Sequence, residues 1–237
     1  MSLPWPDAAA LMVLLVLLPV LSVLQVRLLR GVEVERMPAY LSSAVSLLVL
    51  GGAAWALGSR DGGSAAVGLV PLPWGAFALW SGGLVGAGLA LTAAFRRMGM
   101  ILGLREAPLL RSLLPRTGRE RAAFTGLSAA AGVGEELAYR GYVIPVLAGL
   151  LGPGGAAALS SVVFGVLHAY QGPLGMARTA ALGGLLAWGF LASGSLWPPI
   201  AAHALLDVVL GAALAERMMV PDGPSGVGNT GDTSDTG

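Results

Sequence analysis

Apolar residues run along this chain in blocks of about twenty, divided by short polar links, the length and spacing that predict membrane-spanning helices. The blocks cover residues 8–26, 39–58, 74–95, 122–151, 156–171, 174–192 and 200–218. Glycine, proline and arginine gather between them, as in Gly58-Ser59-Arg60-Asp61-Gly62-Gly63, Gly152-Pro153-Gly154-Gly155 and Gly194-Ser195-Leu196-Trp197-Pro198-Pro199. The fold expected is all-α, a polytopic bundle of about seven transmembrane helices. No basic residue precedes the first block, so it reads as a retained helix and not as a signal peptide. Residues 96–121 break the pattern. Seven arginines (96, 97, 105, 111, 116, 119 and 121) alternate there with Leu, Ile and Met, as in a cytoplasmic loop whose short helix lies on anionic headgroups. Residues 220–237 hold almost nothing apolar and are expected to be disordered. The chain thus divides into N-terminal helices with their basic loop (1–119), a polar-bearing membrane core (120–219) and a tail (220–237).

Composition agrees with this class. Apolar residues make up 55% and charged residues 11%, against roughly 25% charged in soluble domains. Cysteine is absent, which excludes disulfides, thiolate metal sites and thiol nucleophiles. All 14 basic residues are arginine, a bias that reads as genomic. A net charge of +1 implies no nucleic-acid partner; the bilayer itself is the expected one. The links after blocks one and three hold three and seven arginines, and Arg178 follows the link after block five, whereas the opposite links hold only Arg60. Arginine-rich loops stay in the cytoplasm, so the N-terminus is expected outside and the C-terminus in the cytoplasm.

Chemistry enters at Gly134-Glu135-Glu136-Leu137-Ala138-Tyr139-Arg140, where ionisable residues interrupt an apolar run. Such groups are costly at bilayer depth and mark function when they face a cavity. At ~100° per residue, Glu136 and Arg140 lie ~40° apart on a helix and can pair, while Glu135 faces elsewhere. The chain's two histidines, His168 and His203, both fall inside apolar blocks. Phe164 precedes His168 by four residues and Asp207 follows His203 by four, so each couple shares a helical face. A carboxylate can take a proton from water, and imidazoles can orient that water or stabilise an oxyanion. Glu135, His168, His203 and Asp207 can also ligate zinc. Neither a Gly-x-Ser-x-Gly elbow nor a His-Glu-x-x-His helix is present. A proton-coupled carrier uses the same residue types, but no inverted halves are visible. A non-catalytic scaffold is the third possibility.

The order Glu135-Glu136-x-x-x-Arg140, Phe164-x-x-x-His168, His203-x-x-x-Asp207 over residues 120–215 resembles the CAAX-protease and bacteriocin-processing family. That family comprises intramembrane proteases, including the type II CAAX prenyl endopeptidases; many of its bacterial members are described as abortive-infection or bacteriocin-immunity-like proteins. The resemblance implies a bacterial cytoplasmic membrane protein that hydrolyses a prenyl- or leader-type peptide or protein substrate. It further implies Glu135 as the base that activates water, with Glu136 and Arg140 shaping the site. His168 would share the water or metal, and His203 would bind it or form an oxyanion hole. The last motif of the family more often ends in Asn. Asp207 stands there in this chain and, when ionised, only accepts hydrogen bonds.

Overall fold

The computed structural model describes residues 3–29, 32, 34–104 and 107–213; the tail expected at 220–237 lies outside them. Helix α1 spans Trp5–Leu28 and includes a π-helical turn at Val13–Leu17. Pro6 sits in its first turn, where no amide donor is needed. Helix α2 spans Arg36–Gly58, and α3 spans Trp74–Leu102. The sequence pattern places the end of the third block at 95. The helix runs on because nothing breaks it before Gly103, whose φ of 65° turns the chain left-handed. Arg96 and Arg97 therefore belong to its last turns rather than to the loop. In that loop the short helix Pro108–Ser112 does form.

The longest helical stretch, Gly118–Leu167, opens on a capping box. The Thr117 hydroxyl accepts from the Glu120 amide at 3.2 Å, and the Glu120 carboxylate accepts from the Thr117 amide at 3.0 Å. The stretch is not one rod. Gly152 adopts φ 70° and ψ 161° ahead of Pro153, and the chain folds back there. The Ser160 hydroxyl donates to the Tyr139 carbonyl at 2.8 Å, a contact that a straight helix would put ~30 Å apart. We call the two arms α4 (118–151) and α5 (153–167). A 3-10 turn, Ala169–Gln171, leads into α6, Gly172–Ser193. Helix α7, Trp197–Ala212, begins on Pro198 and Pro199. Among the described residues, rods thus stand at all seven apolar blocks, and five helical stretches are long and apolar enough to cross a membrane. The arm 153–167 and the described part of α7 are shorter than the ~20 residues that cross a hydrocarbon core.

Helix α4 is the central element and packs on α2, α5 and α7. Small residues set these crossings. A methyl group on Gly134 would lie 2.2 Å from the Leu47 carbonyl oxygen, and one on Gly51 would lie 2.6 Å from the Gly134 Cα. Backbone meets backbone at this crossing, as is common where lipid supplies no hydrophobic drive for helix association. Helix α3 leans on α6 and α7, and α1 on α5. Helices α1 and α2 hardly touch one another.

One end of the bundle is stitched shut. Buried Asp7 accepts from Arg60 Nη2 at 2.6 Å and from the Tyr142 hydroxyl at 2.7 Å, tying the start of α1 to the end of α2 and to α4. Ser195 donates to the Val70 carbonyl at 2.6 Å, and the Leu196 amide donates to that of Gly68 at 2.7 Å. Ser195 is thus a structural serine. At the other end the helices part around a cavity.

Candidate active site

Glu135 and Glu136 close the α-helical part of α4, immediately before a π-helical turn at Leu137–Val143. Such wide turns are rare and frequent at functional sites. Arg140 lies within it. Its Nη1 donates to Glu136 Oε1 at 2.8 Å, with both side chains fully buried, so the pairing expected from the helical period forms. Arg140 Nη2 also donates to the Gly183 carbonyl of α6 at 3.1 Å. The guanidinium carbon stands 4.3 Å from the centroid of the Phe164 ring on α5, a cation–π contact. One arginine thereby joins three helices.

Glu136 has a second partner that the sequence does not reveal. His203 Nδ1, from α7, lies 2.8 Å from the same Oε1 atom. A carboxylate only accepts, so Nδ1 carries the proton, and Nε2 is turned toward the cavity. His203 Nε2 is 3.6 Å from Glu135 Oε2 and 3.7 Å from Asp207 Oδ2. The i,i+4 spacing thus does bring Asp207 alongside His203, but the short bond of that ring goes to Glu136. The reason is depth. Asp207 has 41% of its side-chain surface exposed, whereas Glu136 has none.

His168 ends α5, and its Nδ1 lies 2.8 Å from the Phe164 carbonyl. A carbonyl oxygen cannot donate, so Nδ1 holds the proton here too, and in the neutral ring Nε2 is the acceptor. The Phe164 ring touches both imidazoles, with centroids 4.8 Å from that of His168 and 5.8 Å from that of His203. The supporting part expected of Phe164 is larger than a single stack. It spaces the two histidines and shields Arg140 from the cavity.

Glu135, His168, His203 and Asp207 all line one cavity of about 850 Å³. Its walls continue to Leu113 and Leu114 in the basic loop, to Val34 before α2, and to the facing sides of α1 and α2. The cavity therefore opens at the arginine-rich end of the bundle. The wall between is largely apolar, with Ser42, Ser43 and Ser46 of α2 adding a polar strip.

Zinc ligation was the other chemistry open to these residues. Among the described residues no three His, Asp and Glu side chains converge on one point as metal ligands. The Phe164 ring packs on both imidazoles, and Glu136 holds only Nδ1 of His203, leaving Nε2 on the cavity side.

Sequence reasoning missed the Glu136–His203 bond, the buried Asp7–Arg60–Tyr142 cluster, and a polar group of Gln171, Arg178 and Thr179 on the cavity wall. An acid beside an apolar helix start and a single arginine on its own side of the chain were the available signals for the cluster. For comparison with known proteins, residues 118–209 match the family described as type II CAAX prenyl endopeptidase Rce1-like. No curated protein and no solved structure matches.

Proposed function

We propose that this chain, which carries a type II CAAX prenyl endopeptidase Rce1-like domain over residues 118–209, hydrolyses a peptide bond of a membrane-associated substrate with water activated by Glu135. Family membership supports CAAX-type intramembrane proteolysis in general. The observation that carries the mechanism is the meeting of Glu135 and His203 Nε2, 3.6 Å apart on different helices at a cavity wall.

Water in the cavity has two acceptors, a Glu135 carboxylate oxygen and His168 Nε2. Glu135 takes one proton as the water oxygen attacks the scissile carbonyl carbon. His203, kept in register by Glu136, directs Nε2 toward the developing oxyanion; in its imidazolium form that nitrogen donates and stabilises the charge. When the tetrahedral intermediate collapses, the C–N bond breaks. Glu135 returns its proton to the leaving amine, and the products are a carboxylate and a new N-terminus. Asp207 lies at the edge of the cavity and assists His203 at longer range.

The test is cleavage of a prenylated CAAX peptide by detergent-purified protein, with Glu135→Gln and His168→Ala as comparisons. Product from the wild type and none from either variant is the expected result. Cleavage that survives Glu135→Gln would exclude this mechanism. Activity is expected to persist with a strong zinc chelator present, and its loss, restored by added zinc, would move Glu135, His168, His203 and Asp207 to the role of metal ligands.

A further inference from the structure

We propose that Tyr170 is a further catalytic residue, whose hydroxyl donates to the scissile carbonyl oxygen as that oxygen gains negative charge. The proposal rests on the protease reading above and adds a second donor to its site. The need for one is visible at His203. In the neutral ring the proton sits on Nδ1, held by Glu136 at 2.8 Å, so Nε2 has none to give. Asp207 beside it only accepts when ionised. Oxyanions are stabilised by donors already aimed at the place where charge develops, and a phenol keeps its proton at neutral pH.

Tyr170 occupies the 3-10 turn Ala169–Gln171, two residues after His168. Its side chain lines the cavity together with Glu135, His168, His203 and Asp207. Its ring centroid lies 5.7 Å from that of His168, and the charges of Asp207 and Glu135 reach its hydroxyl. The turn itself is pinned. The Gln171 amide donates to the His168 carbonyl at 2.9 Å, and the Gln171 carbonyl accepts from the Ala107 amide at 3.2 Å.

Hydrogen bonds around Gln171 set the direction of donation. Gln171 Oε1 accepts from Arg178 Nη2 at 3.0 Å and from the Thr179 hydroxyl at 3.2 Å. A guanidinium only donates, so the atom facing it is the amide oxygen. Gln171 Nε2 therefore faces Tyr170 and donates to its hydroxyl oxygen at 3.3 Å. Tyr170 accepts in that bond, and among the described residues its own proton has no acceptor. The chain from Arg178 through Gln171 to Tyr170 runs donor to acceptor throughout, so each link strengthens the next. It begins on a cation and ends on an O–H group at the cavity. Arg178 and Gln171 are positioning residues, and Tyr170 is the one that touches the substrate. No covalent bond of Tyr170 changes. Its hydrogen bond tightens as the tetrahedral intermediate forms and relaxes when the C–N bond breaks.

The experiment separates kcat from KM for cleavage of a farnesylated CAAX peptide by detergent-purified protein. Tyr170→Phe removes only the hydroxyl and is expected to lower kcat on the order of a hundredfold, with KM and melting temperature nearly unchanged. Gln171→Leu should lower kcat by about tenfold or less. It should cost nothing further in the Tyr170→Phe background, because the two residues act through one hydrogen bond. An unchanged kcat in Tyr170→Phe overturns the proposal, as does a rise in KM alone, which would make Tyr170 a ground-state contact. Losses that multiply when the two substitutions are combined overturn it as well. If Tyr170→Phe melts far below the wild type, Gln171→Leu decides alone, and an unchanged kcat there is the overturning result. Wild-type protein that yields no product removes the protease reading and this role with it, an outcome distinct from cleavage that Tyr170→Phe leaves intact.

Discussion

At Glu136 a single carboxylate oxygen serves both Arg140 and His203, whereas Glu135, one residue earlier, has no bond as short. This difference divides stability from chemistry. Arg140→Ala would strand a fully buried carboxylate and is expected to lower stability by about 3–5 kcal/mol, seen as a loss of folded protein in detergent. Glu135→Gln keeps the shape and gives up only a 3.6 Å ion pair, so its melting temperature should stay near that of the wild type while cleavage disappears. A Glu135→Gln protein that melts much earlier would show that the two glutamates share the structural load. Asp207→Asn should stay active, because Asp207 is 3.7 Å from His203 and partly exposed. Loss of all activity in that variant, with the fold intact, would make Asp207 a direct participant.

Among the elements, α4 decides where the site can form. Its crossing with α2 leaves no room for a side chain at Gly134, the residue before Glu135. Gly134→Ala would force the Leu47 backbone away and take Glu135 with it. It is expected to cut both melting temperature and activity, whereas Gly149→Ala, which meets open space on the same helix, should change neither. Equal behaviour of the two variants would contradict the close crossing. The π-helical turn after Glu136 is a second device of this helix. It leaves the Tyr139 carbonyl to receive Ser160, fastening α5 so that Phe164 reaches both histidines.

Over the whole molecule, one end is closed by Asp7, Arg60 and Tyr142 while the other opens around the cavity beside the basic loop. By the arginine pattern the open end is expected on the cytoplasmic side. The absence of cysteine makes the assignment straightforward to check with single cysteines on exposed positions. Arg119→Cys should react with a membrane-impermeant thiol reagent only from the cytoplasmic face, and Asp61→Cys only from the other. The reverse labelling would invert the bundle and place the cavity mouth outside.

The class of the chain, its helical rods, the Glu136–Arg140 pair and the Phe164–His168 stack could all be read from the sequence. Each depends on block length or on i,i+4 spacing, and the helical backbone fixes both locally. The bond from Glu136 to His203 joins residues 67 apart, and no local period encodes it. It exists because glycine contacts bring α4 against its neighbours and because Gly152 turns α5 back alongside it. The same packing sets Phe164 against both imidazoles, seats Arg178 on the cavity wall and leaves α1 and α2 apart. Tertiary structure alone decided these features, since the angle at which two helices cross depends on the shapes of both surfaces.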